Sequence, residues 1–134
     1  MLKIPYSPQE SRIFGNIQRP LITMRIFSKV KNIWIPIYET LADTGADITL
    51  IPRYLGEMII GDITKGKHVE VKGIVPNAVL PGFIHTLKLE VFRKQFETKV
   101  LIADTDDARP IFGRFNSLDL FEVNFNKGKE LIIN

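Results

Sequence analysis

Short stretches of alternating apolar and polar residues run along most of the chain. Leu21-Ile22-Thr23-Met24-Arg25-Ile26-Phe27 predicts a first strand, Ser28 to Asn32 a turn, and Ile33 to Tyr38 a returning strand. Ile48 to Ile51 predicts a further short strand. Pro52 then stands where a first helical turn tolerates proline, so one helical turn is expected over Pro52-Arg53-Tyr54-Leu55-Gly56. Val69 and Val71 alternate with His68, Glu70 and Lys72, and Leu87, Leu89 and Val91 alternate with Lys88 and Glu90. That period of two marks half-buried strands. Between them Gly73 to Gly82 reads as a loop carrying Pro76, Asn77 and Pro81, so residues 68–91 predict a long hairpin. Phe96 to Ile102, Phe121 to Phe125 and Leu131 to Ile133 predict the remaining strands, and Asn116-Ser117-Leu118-Asp119-Leu120-Phe121 a short helix. Residues 1–19, polar and proline-containing, predict an extended N-terminal arm before a single domain over 20–134. Many short strands separated by turn residues imply an all-β, barrel-like domain.

Composition narrows the class. A chain of 134 residues, 45% hydrophobic, supports one core. No apolar run approaches the roughly 20 residues that cross a bilayer, and Met1 to Pro8 holds no signal-like apolar segment. No membrane is expected as a partner. The absence of cysteine excludes a disulfide framework and a thiolate nucleophile, and makes a cytoplasmic location the default expectation. The net charge of +3 is uneven: Lys3, Arg12, Arg19, Arg25, Lys29 and Lys31 face only Glu10 before residue 32. Such an arm suits an acidic partner or nucleic acid, but it lacks interleaved aromatics, and a solvated surface is the simpler reading. Gly61-Asp62-Ile63-Thr64-Lys65-Gly66-Lys67 imitates a phosphate-binding loop, yet His68 stands where a magnesium-holding hydroxyl is required and a strand pattern follows. Asp104-Thr105-Asp106-Asp107 reads as a solvated acidic turn, and His68 and His85 lack ligand spacing. No metal or cofactor is expected.

One motif remains that packing does not explain. Asp43-Thr44-Gly45-Ala46-Asp47 lies between the apolar stretches Ile33 to Leu41 and Ile48 to Pro52. A carboxylate in such a setting is costly unless it is paired or used. Gly45 permits a tight turn and Thr44 places a hydroxyl beside the acid. Taken alone the segment is also an ordinary polar turn. A second cluster, Pro110-Ile111-Phe112-Gly113-Arg114, recurs near the C-terminus ahead of the helix-like segment.

The order of apolar strand, Asp-Thr-Gly-Ala-Asp, hairpin, Ile-Phe-Gly-Arg and short helix resembles the retropepsin-like (retroviral-type) aspartic proteases over roughly residues 20–126. The resemblance implies a closed, all-β acid-protease barrel with a flap hairpin and one short helix, acting as a homodimer. Asp43 would be the catalytic acid, supported by Thr44, Gly45 and Ala46. Asp47 and Arg114 would form a structural ion pair, and Gly73, Ile74, Val75 and Pro76 would belong to the flap over an extended polypeptide substrate. Hydrolysis by this chemistry uses one water between two carboxylates that share a proton. The chain has a single Asp-Thr-Gly, so the second carboxylate must come from another copy. The alternative is a catalytically silent dimeric domain of the same fold that binds extended peptides.

Overall fold

The computed structural model describes residues 1–73, 75 and 77–134. Among the described residues twelve strands and one α-helix follow one another. The strands are β1 (Leu2–Pro5), β2 (Ser7–Ser11), β3 (Gly15–Arg19), β4 (Leu21–Ser28), β5 (Ile33–Ala42) and β6 (Thr49–Ile51), then, after helix α1 (Arg53–Ile60), β7 (Lys67–Lys72), β8 (Val79–Val91), β9 (Lys94–Ala103), β10 (Ile111–Phe112), β11 (Val123–Asn126) and β12 (Glu130–Ile133). The main sheet runs β4-β5-β10-β6-β9-β8-β7 and closes where β4 also pairs with β8. This is the expected barrel, with β7 extending from it.

The barrel is filled by the apolar half of each alternating strand. Met24 and Ile26 of β4, Leu87 and Leu89 of β8, and Val100 and Ile102 of β9 are fully or almost fully buried. Ile59 of α1 and Phe112 of β10 belong to the same buried cluster. Phe112 packs near Phe92, Phe96 and Phe121, and Phe121 meets both Phe92 and Phe96 edge-on. Burial of such side chains, each stabilising by roughly 1.5–3 kcal/mol, holds the closed shape.

β5 runs longer than its alternation predicts, and the reason determines where Asp43 points. Ile35 and Ile37 are buried, Tyr38 and Glu39 are both exposed, and Thr40 and Ala42 are buried again. The β4–β5 register shifts between Ile22 and Met24, and Glu39 has a φ of 55°. This is a β-bulge. Strict alternation would turn Glu39, Leu41 and Asp43 towards the core. The extra residue reverses that parity, and the acid leaves the core side just as the strand ends.

α1 forms a full eight-residue helix after Pro52, longer than the single turn expected. Its first turn is held by the acidic segment of residues 104–107: Asp106 accepts from the Tyr54 N–H at 3.1 Å, and Arg53 lies 3.3 Å from Asp104. At its other end the Ser28 hydroxyl donates to Met58 C=O and the Lys29 N–H to Ile59 C=O, so the β4–β5 turn caps the last carbonyls. The segment expected as a short helix after Arg114 is a 3-10 turn over Leu118–Leu120.

Residues 1–19 are built into the fold. β1 pairs with β12, which also pairs with β11, giving a separate three-stranded sheet. β2 and β3 form a small hairpin tied to the body by Arg109, whose Nη2 donates to Gln9 Oε1 at 2.8 Å. Among the described residues no helix is long and apolar enough to cross a membrane.

Candidate active site

Asp43 stands at the end of β5, in a loop that the barrel holds from both sides. β10 lies between β5 and β6, parallel to the first and antiparallel to the second, with Phe112 beside Ala42 and Ile111 between Leu41 and Leu50. The Asp43 N–H donates to Phe112 C=O at 3.0 Å, and the Ala42 N–H to Pro20 C=O at 3.0 Å. The chain then turns: the Ala46 N–H reaches Asp43 C=O, and the Gly45 N–H donates to Asp43 Oδ1 at 2.8 Å. One carboxylate oxygen is therefore oriented by its own loop. The side chain is half-buried, with Thr44 and Gly45 exposed beside it and Ala46 half-buried behind.

The second motif braces the first through main-chain bonds. The Arg114 N–H donates to Ala46 C=O at 2.9 Å and the Phe115 N–H to Asp47 C=O at 2.8 Å. Such an approach is possible because residue 113 is glycine: a Cβ there would lie 2.5 Å from Ile48 C=O and 2.9 Å from that of Ala46. Beneath the junction, the Thr49 hydroxyl accepts the Gly113 N–H at 3.1 Å and donates to Ser117 Oγ at 3.1 Å. Thr49 and Ser117 are completely buried. This hydroxyl pair escaped the sequence reading, although a lone threonine inside Ile48-Thr49-Leu50-Ile51 is a signal of its kind, since buried polar groups are nearly always partnered.

The expected Asp47–Arg114 ion pair is not formed in the single chain. Arg114 Nη2 lies 3.6 Å from Asp119 Oδ2 instead, and both side chains are about half exposed. The tight turn explains the change of partner: the Leu118 N–H bonds to Gly113 C=O and the Asp119 N–H to Arg114 C=O, which folds Asp119 back over the arginine. Asp47 is exposed and shares a cavity of about 390 Å³ with Arg114, Asp119 and Lys99. An exposed pair of this type contributes little, typically 0–1 kcal/mol.

The long hairpin is present as β7 and β8, paired from Lys67 with Ile84 to Lys72 with Val79. It projects beyond the barrel, because β9 stops pairing at Ala103, opposite Gly82. Its tip is closed by the Gly73 N–H to Ala78 C=O at 2.7 Å and the Ala78 N–H to Val75 C=O at 2.9 Å. Val71, Val75 and Val79 expose apolar surface along it. Of the expected flap positions, Gly73 and Val75 are at this tip, while Ile74 and Pro76 lie outside the described residues. Among the described residues no cluster of His, Cys, Asp or Glu has the geometry of a metal site.

The chain matches the crystal structure of a retropepsin-like aspartic protease from Rickettsia conorii with a TM-score of 0.63, at 20% sequence identity, over 98% of this chain and 99% of that one. This chain has a retropepsin-like fold. A weaker likeness, with a TM-score of 0.44 at 20% identity over 72% of this chain and 82% of the other, links it to EIAV protease complexed with the inhibitor HBY-793. No protein-family model matches the sequence, and no curated protein matches it closely enough to count as a relative. In the retropepsin-like fold of this chain, the terminal residues 1–19 belong to the matched body, since the likeness spans nearly the whole length.

Proposed function

We propose that the chain is an aspartic endopeptidase that hydrolyses peptide bonds in extended polypeptides as a homodimer, with Asp43 of each subunit holding one water. The observation that carries this reading is the mounting of Asp43: a half-buried acid at the end of a barrel strand, one oxygen oriented by the Gly45 N–H, in a loop braced by Arg114 and Phe115. One carboxylate takes a proton from the water as it attacks the carbonyl carbon. The other, protonated, donates to the carbonyl oxygen. Two carboxyls close enough to share a water cannot both ionise, so they hold one proton between them. The β7–β8 hairpin would cover the substrate and exclude water, and main-chain hydrogen bonds to an extended peptide would supply affinity without strict side-chain demands.

The test is cleavage of an unstructured protein across pH 3 to 8, with and without pepstatin, by the wild type and by Asp43→Asn. Asn retains the shape and a hydrogen-bonding oxygen but cannot carry the shared proton. The wild type is expected to cleave and the variant to be inert while keeping its fold and association state. An Asp43→Asn preparation with wild-type activity would remove Asp43 from the mechanism. A wild type that binds extended peptides but never cleaves them would leave the silent peptide-binding domain.

A further inference from the structure

β5 is covered along most of its length by β4 on one side, but on the other side only by β10, and only at Leu41 and Ala42. Among the described residues, Pro36 to Glu39 have no strand on that second side. A groove of about 410 Å³ opens there, lined by Pro36, Tyr38, Glu39, Tyr54, Arg109 and Pro110, among others. Three separate parts of the fold build it. The β5 bulge exposes Tyr38 and Glu39 together. The first turn of α1 supplies Tyr54, whose main-chain N–H is held by Asp106. The segment entering β10 supplies Arg109, whose Nη2 is held by Gln9 of the β2–β3 hairpin.

The two tyrosines are 69% and 50% exposed. Tyrosine offers a rigid, amphipathic contact at low entropic cost, and with arginine it dominates the energetics of many interfaces. An extended strand cannot fill this gap by main-chain pairing, because Pro36 has no N–H to offer and the bulge at Glu39 breaks the ladder. A ligand here is held by side chains. Those side chains end in donors: two phenol hydroxyls and the Arg109 N–H groups that Gln9 does not engage. Between the donors lie aromatic faces and two prolines. A proline-rich segment is the matching chain. Its prolines present carbonyls and no N–H groups, their rings pack on aromatic faces, and the polyproline II backbone is already extended without internal hydrogen bonds. An anion drawn to Arg109 instead would meet the Glu39 carboxylate in the same groove.

We propose that this groove docks a proline-rich segment of a partner protein in the polyproline II conformation, its prolines packed on Tyr38 and Tyr54 and its carbonyls accepting from Arg109 and the phenols. The site uses none of the residues assigned to hydrolysis, and it stands whether or not the chain is a protease. The bulge then has a role in recognition as well as in aiming Asp43: it turns Tyr38 and Glu39 outward on the same strand.

The test is fluorescence anisotropy of a labelled oligoproline of about nine residues, three turns of the helix, titrated with the whole chain. A Gly-Ser peptide and an oligoglutamate of the same length are run beside it. The oligoproline is expected to bind more tightly than either. Tyr38→Ala and Tyr54→Ala are each expected to weaken it by at least about tenfold, with circular dichroism unchanged. Folded alanine variants that both bind like the wild type overturn the proposal, as does a wild type that does not bind the oligoproline. Oligoglutamate binding as tight as that of oligoproline makes the groove an anion site and also overturns it. Should the alanine variants not fold, the wild type answers by nuclear Overhauser contacts, since the chain has only three tyrosines. Contacts from the peptide's prolines are expected to the rings of Tyr38 and Tyr54 and not to that of Tyr6; contacts that miss both groove tyrosines overturn the assignment.

Discussion

Thr49 is the point at which the two active-site segments can be separated with the least change of shape. Its hydroxyl accepts the Gly113 N–H and donates to the Ser117 hydroxyl, and neither Thr49 nor Ser117 is reached by solvent. Thr49→Val preserves the volume and deletes both bonds. The Gly113 N–H is then a buried donor without a partner, costing about 1–3 kcal/mol, and the Ser117 hydroxyl loses a bond of about 0.5–1.5 kcal/mol net. The expected loss is roughly 2–4 kcal/mol, a large share of the 5–15 kcal/mol typical of a domain. Thr49→Ser keeps the hydroxyl and removes one methyl, for about 1 kcal/mol. Urea unfolding at one fixed protein concentration, which holds any association term constant, should show the midpoint falling by roughly 1–2 M for Val, given an m-value of about 2 kcal/mol/M, and by much less for Ser. A valine variant as stable as the parent, or more stable than the serine variant, would refute the claim that this buried hydroxyl joins the Asp43 loop to the Gly113 turn.

Two further substitutions probe the barrel that carries the site. Glu39 occupies the bulge at a φ of 55°, a conformation costing roughly 1 kcal/mol or more for a side-chain-bearing residue. Glu39→Gly should therefore leave stability equal or raise it by up to about 1 kcal/mol after the greater freedom of the unfolded chain is counted; clear destabilisation in urea would mean that the bulge is not strained. Glu90 has its carboxyl held below the ordinary value of 4.5 by the hydrogen bond from Gln95, aided by Arg25. A depressed folded value stabilises above pH 4.5 and loses that contribution as pH falls through it. The stability difference between wild type and Glu90→Gln should accordingly shrink from pH 6 to pH 3, and a difference independent of pH would show that Glu90 gains nothing from its charged partners.

Alternation made most of the barrel legible. β4, β7 and β9 lie within a few residues of where the period-two pattern puts them, because the pattern marks the faces that their neighbours cover. β8 begins at Val79, inside the stretch Gly73 to Gly82 that reads as a loop, because pairing with β7 holds Val79 to Gly82 extended despite Pro81. β5 was cut short at Tyr38 because alternation fails there, and it fails because the bulge exposes two successive residues. Pairing partners decide such a feature, and they lie outside any local window. The N-terminal arm hid its strands for a related reason. Leu2 and Ile4 alternate over too short a span to be distinguished from chance, and only β12, at the far end of the chain, gives them a face to bury.

At the site, the two motifs were legible as a pair, but the way they meet was not. The resemblance implied an ion pair between Asp47 and Arg114, a contact between side chains. The actual junction is made by backbone: Arg114 and Phe115 N–H groups on the carbonyls of Ala46 and Asp47, over a glycine that no side chain can replace. Main-chain bonds of this sort do not depend on the identity of residue 47 or 114, whereas the close approach depends entirely on residue 113. The arginine is consequently free to take Asp119, which the 3-10 turn brings to it. It follows that the rigidity of the Asp43 loop comes from Gly113 and Thr49, both buried or tightly packed. The exposed charges around Arg114 are left available for whatever approaches the cavity they line.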